Sequence, residues 1–209
     1  MNVRPGELSY REFYRILLVS VAPRPIAWVS TLSKSGLPNL APFSFFNCVS
    51  REPPLLAFAP ALRSVESGHV PKDTLRNIRE TGEFVINVVT FELAEAMNLT
   101  SGDYDHSVNE FDLASLTTRN SQVVRPAQVA ESPVSFECKT HQIIDFGIKP
   151  PSGSLVIGEI VSVHIEERVL KEGKIEPEAL DLVGRMGGMQ YSRTTQKFEL
   201  ERPRVLPQT

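Results

Sequence analysis

Two stretches of this 209-residue sequence combine residue types that could handle a ligand. The first runs from Asn39 to Pro60. In it Ser44, Asn47 and Ser50 interrupt an apolar run, and Pro53-Pro54 removes two backbone donors and fixes a bend. Such a segment can offer backbone N–H and C=O groups to a planar polar ring while its phenylalanines cover the ring face. It suits an edge strand with a turn equally well. The second stretch is Lys72-Asp73-Thr74-Leu75-Arg76-Asn77. It places a cation and a hydroxyl at a helix start, where orphan N–H groups and the helix dipole favour an anion. A phosphate fits there; so does an ordinary helix start with solvated Lys and Arg.

Other chemistries find less support. No two histidines have metal-ligand spacing, so no metal site is expected. His141 and His164 fall on alternating strands, and His69 precedes Val70-Pro71-Lys72. His106 lies in Asp103-Tyr104-Asp105-His106, within a polar segment where a surface role is the plain reading. Asp103, Asp105, Glu110 and Asp112 read as solvated neighbours rather than a working carboxylate pair. There is no Gly-x-Gly-x-x-Gly after a strand and no Walker-type Gly-Lys-Ser/Thr.

The bulk properties are those of a globular chain of one domain, with 41% hydrophobic and 22% charged residues. The formal charge is −3 with no basic block, which argues against nucleic acid as a partner. No apolar run approaches the roughly 20 residues of a membrane span. The N-terminus lacks a secretory pattern, so a cytoplasmic location is expected. Cys48 and Cys138, the only cysteines, sit in strand-like apolar contexts and read as buried free thiols.

Several elements must position the two candidate stretches. Ser9 to Leu18 reads as a helix with a Ser9/Glu12 capping box and one apolar face of Tyr10, Phe13, Tyr14, Leu17 and Leu18. Pro23 and Pro25 then force an extended chain. Ile26–Leu32, Leu37–Val49 and Leu55–Ala59 read as strands, the first two joined by a Ser33-Lys34-Ser35-Gly36 hairpin turn. Asp73 is expected to cap a helix from Thr74 to Thr81 that stops at Gly82, and Thr90 to cap another from Phe91 to Leu99. A nearly continuous buried strand runs from Phe84 to Val89. Residues 101–132 read as a long loop or flap with short helical pieces. Two long strands follow, Pro133–Asp145 and Ser154–Leu170. In the first, Val134, Phe136, Cys138 and Thr140 alternate with Ser135, Glu137, Lys139 and His141. A Pro/Gly turn, Gly147–Gly153, joins them. Many short strands with few helices predict a mainly β chain folded as a closed or partly closed antiparallel barrel.

Five segments in order carry a specific resemblance: Pro23–Thr31, Ala41–Asn47, Ser50–Leu55, Lys72–Ile78 and Phe84–Asn87. Together they resemble the flavin reductase-like family, which includes reductase components of two-component flavin monooxygenases and flavoredoxins. Gly184–Gly188 and Tyr191–Thr194 resemble the closing segment of one subgroup. The similarity covers nearly the whole chain as one domain, with its core over about 20–170 and the tail at 184–203. It implies an FMN-binding split β-barrel of Greek-key type, a homodimer with flavin near the subunit interface, and NADH or NADPH as hydride donor. Free flavin, a partner monooxygenase or another carrier would accept the electrons.

Carried over residue by residue, the resemblance puts Ser44, Phe45, Phe46 and Asn47 along the isoalloxazine and Ser50 on the ribityl-phosphate arm. Lys72, Asp73 and Thr74 would meet the phosphate, with Asn77 in the same helix turn, and Trp28 would lie beside the ring. Tyr191 and Arg193 would close the site from the tail, either of the same chain or of the partner subunit. Apart from the resemblance, a His in a polar flap near a flavin, as His106 is, could bind a nicotinamide or a substrate oxygen. One departure stands out: the stretch before the double proline has Asn47 where many flavin reductases have Thr. A flavin-holding electron carrier without its own nicotinamide site is the alternative reading. A pyridoxamine-phosphate-oxidase-like enzyme would need a second basic cluster, which the sequence lacks.

Overall fold

The computed structural model describes residues 2–65, 68–148 and 152–203, with side chains at 63–70 left aside. Helix α1 (Tyr10–Ser20) opens the chain, with the Ser9/Glu12 capping box formed as the sequence predicts. Seven strands then build one antiparallel sheet: β1 (Ala27–Leu32), β2 (Pro38–Phe43), β3 (Phe46–Ser50), β4 (Leu55–Phe58), β7 (Glu83–Asn87), β10 (Val134–Asp145) and β11 (Ser154–Ile165). Between them lie a ribbon of β5 (Leu62–Val65) and β6 (Gly68–Pro71), helices α2 (Asp73–Thr81), α3 (Ala94–Leu99) and α4 (Glu110–Leu113), and a small pair of β8 (Thr118–Arg119) and β9 (Gln128–Val129). The chain closes with β12 (Leu170–Lys171), β13 (Lys174–Ile175), α5 (Pro177–Leu180), β14 (Val183–Arg185) and β15 (Tyr191–Arg193).

The order of the sheet is β2-β1-β7-β10-β11-β4-β3. Its two edge strands are consecutive in sequence, joined only by Ser44 and Phe45. In a flat sheet seven strands wide those edges would stand roughly 29 Å apart. Two residues cannot cover that gap, so the sheet must curl until β2 and β3 meet. The Phe43 and Phe58 rings, from opposite ends of the strand order, indeed lie 5.1 Å apart. The expected single strand from Leu37 to Val49 is thus two strands, broken where the barrel closes.

The barrel interior holds Ala27, Val29, Phe58, Phe84, Ile86, Cys138 and Val156, all essentially inaccessible to solvent. Helix α2 plugs it with Leu75 and Ile78, one turn apart. Gly82 ends α2 with φ of 73°, the left-handed stop expected from the sequence. Asp73 is the first helical residue instead of the cap; Lys72 occupies the cap position, and no side chain caps the helix. Similarly α3 starts at Ala94 behind Leu93, while Thr90 bridges to Leu182. Trp28 on the outer face of β1, and Ile26 just before the strand, pack with Leu40, Met97, Phe111 and Val183 in a second core.

Alternation misassigns one face of β10. Ser135 and Glu137 are as buried as Cys138. Burial opposes the charge of Glu137, yet its carboxylate accepts from the backbone N–H groups of Gln122, Val123 and Val124 and from Gln128 Nε2, at 2.7–3.1 Å. These donors hold its pKa below the ordinary value and pin the 120–128 loop to the barrel. Cys48, expected inside, is exposed on edge strand β3, whereas Cys138 is buried and its thiol pKa is pushed up by desolvation. Part of the Gly147–Gly153 turn lies outside the described residues.

Candidate functional site

The outer edge of β2 has no strand partner, and helices α2, α3 and α4 flank it. A groove follows this edge. Its inner section, about 250 Å³, is lined by Tyr14, Arg24, Pro42, Ser44, Arg185 and Tyr191, over a floor that includes Ile26 and Met97. A narrow neck continues it, sharing Pro42 and Ser101 and lined by Asn39, Lys72, Asp73, Thr74, Tyr104 and Glu110. From Ser44 to Asn39 is five residues of strand, about 17 Å.

At the neck, Thr74 is buried and its Oγ1 accepts from Asn39 Nδ2 at 3.0 Å, which leaves the hydroxyl proton for a ligand. Asn39 also donates to Thr31 Oγ1 at 3.3 Å, and Asn77 to the same oxygen at 3.1 Å. This polar network ties α2 to β1 and β2. Lys72 Nζ stands 3.4 Å from Asp103, and Asp73 is ion-paired with Arg76 in the next turn. Glu110 Oε2 accepts from Leu40 N–H at 3.0 Å, covering the free edge of β2. Desolvation raises the pKa of Glu110, the Leu40 hydrogen bond works against that rise, and the charge of Asp73 adds to it.

At the inner end the organising residue is Arg24, which the sequence reading passed over. It is only 5% exposed. Its Nη1 donates to the carbonyls of Leu18 and Val21 at 2.6 and 2.5 Å, its Nη2 to Met186 O at 2.8 Å, and its Nε to Ser44 Oγ at 3.4 Å. Its backbone pairs with Arg185 in both directions, at 2.9 and 2.8 Å. One guanidinium therefore joins the end of α1, the tail and the β2–β3 junction. Burial lowers its pKa, and Arg185 lowers it further. Arg185 lies over the Tyr191 ring at 4.4 Å, and Tyr191 Oη is 3.3 Å from Asn98 Oδ1. The tail approaches α1 closely at Gly187, where a Cβ would sit 2.7 Å from Val19 Cγ2. The one available signal for Arg24 was a basic residue trapped between Pro23 and Pro25 before a buried strand.

The expected site residues divide. Ser44 and Tyr191 meet in the inner section, and Lys72, Asp73 and Thr74 meet at the neck. Phe45, Phe46 and Asn47 line a neighbouring apolar cleft with Leu17, Val21 and Pro25, which joins the groove at Arg24 and Ser44. Asn47 Oδ1 is turned to Cys48 N–H at 2.8 Å. Ser50, at the far end of β3, lines none of these clefts. Trp28 is fully buried and donates to Thr100 Oγ1 at 2.9 Å, so it supports the groove from below and presents no face to it. Tyr191 and Arg193 line one cleft at the tail with Phe91 and Asn98, and His106 lies apart from both. His106 sits beyond α2 beside Asp105, Asn77 is buried on that same side, and Arg193 pairs with Asp181 and stacks over Phe91 at 4.0 Å. Among the described residues no cluster could hold a metal ion, and no helix is long and apolar enough to cross a membrane.

Residues 19–188 match the family model of the flavin reductase like domain. The chain belongs to this family. It is 39% identical over 207 residues to an uncharacterised protein of Halalkalibacterium halodurans, with 98% of each chain covered. Among solved structures it resembles nitrilotriacetate monooxygenase component B from Bacillus cereus, with a TM-score of 0.89 and 33% identity over 96% of this chain and 98% of that one. It also resembles the Pseudomonas fluorescens 2-nitrobenzoate 2-nitroreductase, with a TM-score of 0.85 and 33% identity over 100% and 99% of the two chains. The barrel derived above is the split barrel of this family, and a flavin-related oxidoreductase role goes with it. The groove suits a flavin mononucleotide: a ring-sized section with apolar floor and positive rim at one end, a helix start with hydroxyl and ammonium at the other.

Proposed function

We propose that this chain is a cytoplasmic, NADH- or NADPH-dependent flavin reductase that holds FMN along the β2 edge and passes electrons to free flavin, a partner monooxygenase or another acceptor. The carrying observation is the continuity of the groove from the Ser44/Tyr191 section to the Thr74 neck. The similarity to a monooxygenase component supports the partner.

In this reading FMN, when bound, supplies the redox chemistry by accepting a hydride, two electrons and a proton, from the donor. The protein binds, orients and excludes water. The first-turn N–H groups of α2 and the Thr74 hydroxyl hold the phosphate, and Lys72 exchanges Asp103 for it. Ile26 and Met97 keep the ring floor dry. Arg24 and Arg185 place positive charge at the rim, where electron density gathered on a reduced ring is stabilised. No acid–base pair is needed, which agrees with the placement of His106 away from Tyr191.

The homodimer belongs to the same proposal. Helix α1 buries none of its residues in one chain, leaving Tyr10, Tyr14 and Leu17 exposed along one face and Ile16 and Val19 on the other side. The exposed Tyr10, Tyr14 and Leu17 face fits contact with a second copy.

The distance of His106 from the inner section also favours, as a second reading, an FMN carrier that receives electrons from another protein. An absorption spectrum followed by anaerobic titration with NADH and NADPH separates the two. The reductase reading expects flavin bands that bleach with one equivalent of donor. Bound flavin that neither donor bleaches establishes the carrier, and a protein that takes up no flavin contradicts both.

A further inference from the structure

A buried polar network stands behind the neck. Thr31, Asn39, Thr74 and Asn77 come from β1, β2 and α2, and all four are buried. One amide nitrogen joins the three elements. Asn39 Nδ2 donates to Thr31 Oγ1 at 3.3 Å and to Thr74 Oγ1 at 3.0 Å, which commits both of its hydrogens. Asn77 Nδ2, one turn beyond Thr74, donates to the same Thr31 oxygen at 3.1 Å. The start of α2 is thereby pinned to β2 through Thr74 and to β1 through Asn77.

The direction of these bonds bears on the neck, which Asn39 and Thr74 both line. A hydroxyl that accepts from Asn39 turns its own proton elsewhere. Asn39 has no hydrogen left for a ligand, so its effect on one passes through Thr74 and the start of α2. A different group at position 39 would undo the arrangement. A carboxylate there would accept the Thr74 proton, and a methyl group would leave the hydroxyl free to turn.

We propose that Asn39 is a positioning residue for the phosphate end of the groove. It orients the Thr74 hydroxyl as a donor and holds the start of α2 against β2, and that alignment sets the preference of the chain for a phosphorylated flavin over riboflavin. The proposal rests on the flavin reading above. It adds to that reading a residue that acts through another.

Fluorescence titration of the full-length protein with FMN and with riboflavin tests this in the wild type, Asn39→Ala, Thr74→Val and the double variant. Asn39→Ala is expected to weaken FMN about tenfold, the scale of one hydrogen bond to a charged group, and riboflavin by less than about twofold. In the Thr74→Val background the same change is expected to weaken FMN by less than about twofold, because the group it acts through is gone. Parallel loss of FMN and riboflavin makes Asn39 a merely structural residue and overturns the proposal. So does an FMN affinity that Asn39→Ala leaves unchanged, or a tenfold loss that persists beside Thr74→Val. If Asn39→Ala does not fold, Asn39→Asp, of nearly the same size, takes its place. It should weaken FMN at least about tenfold and riboflavin by less than about twofold, and an unchanged FMN affinity or a parallel loss again overturns the proposal. Wild-type protein that binds no FMN, or binds riboflavin equally well, strikes the flavin reading instead, so the two failures are distinguishable.

Discussion

Arg24 reaches Ser44 Oγ through Nε at 3.4 Å while its Nη2 holds the carbonyl of Met186, 162 residues away in sequence, at 2.8 Å. The β2–β3 junction and the tail therefore share one anchor, and the inner end of the groove depends on it. Arg24→Ala leaves three carbonyls without their charged donor and should cost about 2–4 kcal/mol of stability. Arg24→Lys keeps the charge but not the fork, and should retain more of the stability than of the flavin affinity. Urea denaturation and FMN titration of both variants check this ordering.

Glu137 predicts an acid-sensitive barrel. Its folded-state pKa is depressed, so its stabilising contribution is present above the unfolded-state value and is lost as pH falls through the folded-state value. Glu137→Ala would strand three backbone N–H groups and should cost about 3 kcal/mol or more at neutral pH. Urea midpoints measured from pH 7 down to pH 4 should fall for the wild type and be flatter for Glu137→Gln.

Much of this molecule could be read from the chain, and the failures have a common cause. Local signals worked at the Ser9/Glu12 capping box and the Gly82 stop, which lie where the sequence places them, while α2 starts one residue early, at Asp73, without the expected cap. What the sequence could not show is closure. The run from Leu37 to Val49 is uniformly strand-like, and only the curl of the sheet decides that it breaks at Ser44. The same curl buries Glu137 under the 120–128 loop, where period-2 alternation expects solvent. The sequence does not mark Arg24 as an anchor, because its four acceptors come from Leu18, Val21, Ser44 and Met186, which only the tertiary structure assembles. Tyr191 and Arg193, linked by the resemblance, share a cleft beside Phe91, whereas His106 of the polar segment lies on the far side of α2.

Glu110 makes the opposite pH prediction. Its folded-state pKa is raised, so whatever it contributes is present below its unfolded-state value and lost as pH rises through the folded-state value. Ionised, it also faces the phosphate expected at the neck. Glu110→Gln keeps an acceptor for Leu40 N–H without the charge. The variant should bind FMN more tightly than the wild type above neutrality, with a flatter dependence of Kd on pH from 6 to 9.

The uncovered face of α1 should set the oligomeric state. Leu17→Glu puts a charge in the middle of that face, beside the cleft of Phe45 and Asn47. Sedimentation should show a dimer for the wild type and a monomer for the variant, with the far-ultraviolet spectrum unchanged because α1 carries no buried core residue.

The placement of flavin along β2 is tested most directly by comparing FMN with riboflavin, which has the same ring and no phosphate, in fluorescence titrations of the wild type and Lys72→Ala. The groove predicts saturable quenching by one FMN per chain and riboflavin binding at least about tenfold weaker, with Lys72→Ala weakening FMN but not riboflavin. Equal affinity for FMN and riboflavin in the wild type, or no quenching of either, would contradict it.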